Sequence, residues 1–136
     1  MKKPIYVLLA VFLSESVTAT ESEIEYVVRV GILQAERNAS KHEIVLASRL
    51  PESVKNAVLK LNRKITPIDS WSGNRGIPVE GVLLIEELAI TTDGATFEAI
   101  LGGKASSLSC GSHSLVEFSR GKDGKLFPSD HQVVVC

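Results

Sequence analysis

The last 28 residues of the chain carry the pattern of a β-hairpin, and this feature restricts the possible folds most strongly. Two segments able to form strands, Ser112–Arg120 and Lys125–Cys136, flank residues 121–124. The short segment between them reads Gly-Lys-Asp-Gly and contains the glycines and the aspartate that a tight reversal requires. The pattern therefore predicts two antiparallel strands joined by a four-residue loop.

Both cysteines of the chain lie at the open end of this predicted hairpin. A four-residue loop pairs Arg120 with Lys125, and counting outward places Cys110 opposite the penultimate residue. Pro128 cannot donate to the ladder of hydrogen bonds and often marks a bulge, which adds one residue to its strand. One added residue brings Cys110 opposite Cys136, so we expect these two cysteines to form a disulfide.

A second role for Cys110 is that of a nucleophile, because His113 follows it closely in the sequence. An even number of cysteines in a small exported chain favours the disulfide.

The N-terminus predicts a cleaved export signal over residues 1–19. Met1–Lys3 is basic, Ile5–Leu13 is apolar, and Val17–Ala19 offers small residues at the cleavage positions. The apolar segment is much shorter than the roughly 20 residues that span a bilayer. We therefore expect a periplasmic or secreted protein whose mature chain, residues 20–136, forms a single domain. Export also places the cysteines in a compartment that permits disulfides.

Charge excludes some classes of partner. Removal of the signal takes two lysines and one glutamate with it and leaves 13 basic and 15 acidic side chains. The basic residues form no stripe, which argues against a nucleic-acid ligand. The sequence also lacks the polybasic amphipathic face that would predict binding to a membrane surface.

Two helices are predicted, with a short strand at Glu43–Ala47 between them. The first covers Thr20–Arg37, where Thr20 and Glu23 form a capping box and apolar residues recur at helical spacing. The second begins at Pro51, which suits the first turn of a helix. Its predicted inner face consists of Val54, Ala57, Val58 and Leu61.

A further hairpin is predicted from Val79–Thr92 and Ala95–Gly102, with Asp93-Gly94 as a two-residue turn. The complete order predicts an α+β domain, with two helices on one face of a mostly antiparallel sheet. This sheet would consist of the short strand and a four-stranded C-terminal meander. The order of elements resembles small exported bacterial proteins of unknown function and, more loosely, the nuclear-transport-factor-like and cystatin-like folds. The resemblance includes no motif, so it assigns no functional residue.

The longest polar loop, Asp69–Pro78, contains the only tryptophan of the chain. A tryptophan and an arginine on one loop are typical of the residues that dominate protein interfaces. We therefore predict that Trp71, Asn74 and Arg75 contact a protein partner. The alternative for Trp71 is a role in covering the edge of the core.

Motifs for catalysis, cofactors and metals are missing from the sequence. The histidines at positions 42, 113 and 131 are widely spaced, although His113 and His131 lie on the two strands of the last hairpin. Glu86 and Glu87 are adjacent on a strand, which predicts that they point to opposite faces. We therefore predict no cofactor, no metal site and no enzymatic activity.

These observations favour a small exported binding module, such as a periplasmic inhibitor or an immunity protein directed against an envelope or incoming protein. The alternative is a carrier with an apolar pocket between the helices and the sheet. That pocket would be lined by Ile24, Val28, Val58, Leu88, Ile90 and Phe97.

Overall fold

The computed structural model describes residues 20–37, 42–66, 81–102 and 112–135. The predicted signal, the loop with Trp71, Asn74 and Arg75, and both cysteines lie outside these ranges. Within them the elements are α1 (Glu21–Glu36), β1 (Glu43–Leu46), α2 (Glu52–Lys60), β2 (Val82–Ile90), β3 (Gly94–Leu101), β4 (Ser112–Arg120) and β5 (Leu126–Val135).

The five strands form one sheet in the order β1-β2-β3-β4-β5. The four C-terminal strands, β2 to β5, pair antiparallel with one another, as predicted, and β1 pairs in parallel with β2. The predicted α+β class and the mostly antiparallel sheet are confirmed, but the five strands follow one another in one continuous order, so the sheet does not divide into one strand plus four as predicted. Residues 47–81 separate β1 from β2, and α2 lies within this connection, as a parallel pair requires.

Helix α1 begins where the sequence predicts. The Thr20 hydroxyl accepts a hydrogen bond of 3.0 Å from the backbone N–H of Glu23 and caps the first turn. The carboxylate of Glu23 does not stay within the predicted capping box, because it accepts a hydrogen bond of 2.7 Å from Arg120 on β4. Arg120 also donates to the carbonyl oxygens of Thr91 and Gly124. One guanidinium therefore joins the start of α1 to both hairpin turns.

Both described helices pack on the same face of the sheet, called here the helix-covered face. Their buried side chains form one core with alternate residues of β1 to β4 and with Leu126 of β5. The largest fully buried members are Phe97, Ile44, Leu83, Ile85, Val27, Val28, Val54, Val58 and Val116. The opposite face, called here the outer face, carries a smaller buried cluster of Val45, Val82 and Leu84.

Gly31 allows α1 to approach the sheet closely. A Cβ atom at this position would lie within 2.6 Å of three ring carbons of Phe97, whose side chain has no exposed surface. The Phe97 ring therefore occupies the space that the side chain of any residue other than glycine would need at position 31.

The register of the β2–β3 hairpin differs from the prediction by two residues. Thr91 N–H donates to the Gly94 carbonyl oxygen over 2.8 Å, so the turn residues are Thr92 and Asp93 rather than Asp93 and Gly94. Ile90 consequently pairs with Ala95 and not with Phe97. Gly94 belongs to β3, where an added Cβ would lie 3.3 Å from the Phe118 carbonyl carbon and closer still to its oxygen.

The β4–β5 hairpin differs from the prediction by one residue at its turn. Arg120 pairs with Leu126 rather than Lys125, so the loop contains five residues instead of four. The predicted bulge beside Pro128 is confirmed. Phe118 pairs with Pro128 and Glu117 pairs with Asp130, so Ser129 is the extra residue. The last described pair at the open end is Ser112 with Val135.

Candidate functional site

A β-bulge in β2 creates the most unusual polar arrangement of the described residues. Ile85 pairs with Ala99 and Glu87 pairs with Glu98, so Glu86 is the extra residue. The bulge follows four buried residues, 82–85, and interrupts the strict alternation that the sequence predicts for Glu86 and Glu87. Bulges often redirect a side chain in this way.

Three side chains meet at this bulge, and they are named here the Glu86–Glu98–His113 cluster. One ligand atom from each residue, a carboxylate oxygen or an imidazole nitrogen, lies within 4.8 Å of the other two. His113 Nε2 and Glu98 Oε2 are 2.8 Å apart. All three residues are partly buried on the outer face.

His113 Nε2 is buried and has no hydrogen-bond partner in the described part of the chain. Glu98 Oε2 is close to it, but the orientation of the two groups is not that of a hydrogen bond. A buried polar atom without a partner is uncommon and requires an explanation. The imidazole nitrogen therefore faces the carboxylates without the contact that normally satisfies such an atom.

The cluster contains two oxygen donors and one nitrogen donor, which is a chemically suitable set for a divalent ion. Three protein ligands would leave at least one coordination position open. The geometry therefore supports binding of a cation.

The sequence contains two signals for this cluster. Glu98 is a charged residue within the otherwise apolar and small residues of β3, and Glu86 ends the apolar segment of β2. Their proximity to His113 depends on the pairing of three strands and on one bulge. Periodicity within a single strand shows neither.

The two histidines of the β4–β5 hairpin, His113 and His131, do not lie close together. His113 pairs with Val134 and His131 with Val116, which places the two histidines three residue pairs apart along the ladder and on opposite faces. His131 Nε2 lies 3.3 Å from the Ser114 hydroxyl. Burial and the nearby charge of Arg37 hold the pKa of His131 below its usual range, against the opposing effect of Asp130.

A second polar network joins the end of α1 to β1 and to the segment after α2. Arg63 donates to both oxygens of the Glu36 carboxylate over 3.1 and 2.8 Å and to the His42 carbonyl oxygen over 2.7 Å. The His42 backbone N–H donates to Glu36 over 2.9 Å. Burial alone would raise the pKa of Glu36, but hydrogen bonds from Arg63 and His42 and the charge of Arg63 outweigh it and lower this pKa. The network satisfies its own groups, so we assign it a structural role.

Among the residues that the structure describes, the side chains between the helices and the sheet pack closely against one another. Three of the residues predicted to line a carrier pocket, Val28, Val58 and Phe97, have no exposed surface. Ile90 belongs to the same buried core, and Ile24 and Leu88 pack against it while partly buried. The pockets described in the structure have volumes of about 210 to 280 Å³ and are lined by other residues near the surface. These volumes lie below the roughly 300 Å³ at which ligand sites begin.

Comparison of the chain with protein-family models, curated proteins and solved structures finds no match. No helix within the described ranges is long and apolar enough to cross a membrane.

Proposed function

We propose that the chain is a small exported binding module, located in the periplasm or secreted after removal of residues 1–19. Its partner would be an envelope or incoming protein, as for an inhibitor or an immunity protein. The order of basic, apolar and small residues at the N-terminus supports export. The residues proposed for contact with this partner are Trp71, Asn74 and Arg75.

The close packing between the helices and the sheet is the observation that supports this proposal over the carrier. The aromatic ring of Phe97 lies directly against the backbone of α1 at Gly31 and leaves no volume for a ligand between this helix and β3. A ligand would therefore bind at the surface of this part of the chain, where a protein partner forms its contacts.

Retention of a partner from envelope extract tests the proposal. We expect the immobilised protein to retain a specific partner and the Trp71→Ala, Arg75→Ala variant to lose most of it, because interface hot spots are rich in these two residue types. Mass spectrometry of the eluate identifies what is retained. Arg49→Ala changes an exposed arginine outside the 69–78 loop and provides the matched control. Equal retention by the loop variant and the control would exclude the proposed contact residues, and the absence of any retained protein would exclude the binding function.

We also propose the disulfide between Cys110 and Cys136. Cys110 precedes Ser112 by two residues and Cys136 follows Val135 by one, and Ser112 and Val135 form the last described pair of the hairpin. A few residues of chain therefore suffice to bring the two cysteines together. The bond would hold the end of β5 against β4 and protect an apolar strand end from fraying.

Loss of this bond is expected to destabilise the protein. The closed loop contains 27 residues, for which the chain-entropy model predicts a loss of about 3.5 kcal/mol in the free energy of unfolding for Cys110→Ser. Chemical denaturation with and without reductant measures it. The wild type in reductant should match the variant, and Ser112→Ala, which removes a neighbouring hydroxyl and no sulfur, should remain sensitive to reductant. Two free thiols in the intact mass of the exported protein would contradict the bond.

A further inference from the structure

We propose that the Glu86–Glu98–His113 cluster is a binding site for a divalent transition-metal ion of the Zn²⁺ type. The proposal is independent of the protein partner, because it concerns the outer face of the sheet and not the 69–78 loop. Its basis is the meeting of three metal-binding side chains from three neighbouring strands.

The spacing of the ligand atoms suits one ion. Two ligands at about 2.1 Å from a tetrahedral ion stand about 3.4 Å apart. The ligand atoms of the cluster all lie within 4.8 Å of one another, and His113 Nε2 and Glu98 Oε2 are 2.8 Å apart, so their spacing is of this order.

The unpartnered nitrogen of His113 is the second observation. Its Nε2 atom is buried beside two carboxylates and makes no hydrogen bond within the described ranges. A neutral imidazole offers a lone pair at this atom, and coordination to a metal satisfies it. A metal ion bound by both residues would also explain why His113 Nε2 lies only 2.8 Å from Glu98 Oε2 without the orientation of a hydrogen bond.

Charge balance also favours a cation. Glu86 and Glu98 approach each other beside a single imidazole, and no lysine or arginine of the described ranges forms an ion pair with either carboxylate. Two carboxylates that share a partly buried site repel each other, and a divalent ion placed between them removes that repulsion.

The donor set indicates the class of metal. Imidazole suits zinc and the later first-row ions, whereas Mg²⁺ and Ca²⁺ prefer sites built from oxygen alone. One nitrogen and two carboxylate oxygens therefore favour Zn²⁺ over Mg²⁺ and Ca²⁺. The Irving–Williams order predicts a higher affinity for Zn²⁺ than for Mn²⁺ at the same site.

Calorimetric titration of the full chain with Zn²⁺ tests the proposal, after an assay has shown that the protein contains no free thiol that would itself bind zinc. We expect one equivalent to bind in the presence of excess Mg²⁺. His113→Gln and Glu98→Gln should each weaken binding by at least about tenfold, because even outer-shell changes at metal sites cost 10- to 100-fold. Glu87→Gln is the matched control, since it removes an exposed carboxylate that pairs with Glu98 across the strands but is not one of the three ligands, and it should weaken binding much less than Glu98→Gln.

A measurement on the unmodified protein covers the case in which a variant fails to fold. Substoichiometric Mn²⁺ or Co²⁺ should broaden or shift the ring resonances of His113 before those of His42 and His131. The proposal is overturned if Zn²⁺ does not bind, if Glu87→Gln weakens binding as much as Glu98→Gln, or if His42 or His131 responds first. In these cases the close approach of His113 and Glu98 does not mark a metal site, and the proposal for a protein partner is unaffected.

Discussion

Phe97→Ala is expected to lower the free energy of unfolding by about 3–5 kcal/mol, the range for removal of a large aromatic ring from a core. Phe97 has no exposed surface and fills the space between β3 and the backbone of α1 at Gly31. The helix cannot move inward to close the resulting cavity without losing its packing on neighbouring strands. In a domain with a net stability of about 5–15 kcal/mol, this loss is a large fraction of the total.

Thermal and urea denaturation measure this effect, and Phe127→Ala is the matched control. Phe127 is the same residue type on β5, but 46% of it is exposed, so its truncation should cost about 1 kcal/mol or less. Similar losses for the two variants would contradict the assigned packing. Gly31→Ala provides a second check in the same experiment. A methyl group at Gly31 should destabilise the protein by about 1–3 kcal/mol through overpacking, even though alanine is the better helix former by about 1 kcal/mol.

Arg63→Met is expected to cost about 3 kcal/mol at neutral pH, because it leaves the Glu36 carboxylate buried without its cation. The side chains of Arg63 and Glu36 are only 8% and 9% exposed, and two hydrogen bonds join them. Denaturation of the single variants and of the Glu36→Gln, Arg63→Met double variant measures the coupling. The double variant should be more stable than Arg63→Met alone, since no unpaired charge remains. A double variant that loses the sum of the two single effects would show that the pair is not coupled.

The pH dependence of this contribution has a defined sign. The folded state lowers the pKa of Glu36 below its ordinary value of 4.5, so the unfolded state binds more protons as the pH falls. The stabilisation is therefore complete above about pH 4.5 and is lost as the pH falls through the lower pKa of the folded protein. In Arg63→Met this acid-dependent loss should shrink, which acid denaturation of both proteins would show. Lys60→Met is the control, because the ion pairs of Lys60 with Glu21 and Glu25 are exposed and its loss should leave stability unchanged.

Local signals predict the elements of this fold well. The helix predicted over residues 20–37 is observed over Glu21–Glu36, because the Thr20 cap and the apolar spacing act within a few residues of each other. The four C-terminal strands and the bulge beside Pro128 also follow from turn residues and from the missing N–H of proline.

Registers are predicted less well, because they depend on contacts between distant residues. The shift of two residues in the β2–β3 hairpin keeps Leu88 and Ile90 on the helix-covered face, since side chains alternate with a period of two. The shift of one residue in the β4–β5 hairpin changes which side chains are neighbours. His131 thereby lies with Ser114 on the helix-covered face and away from His113.

The sequence by itself determined the α+β class, the position and cap of α1, and the number and order of the C-terminal strands, because each rests on periodicity or turn chemistry over short distances. Only the tertiary structure decided the parallel pairing of β1, the contact of Phe97 with Gly31 and the Glu86–Glu98–His113 cluster. The cluster combines residues from β2, β3 and β4 through a bulge at Glu86. Such a meeting requires the packed sheet, since the free energy that selects a register comes from burying one whole face rather than from any single strand.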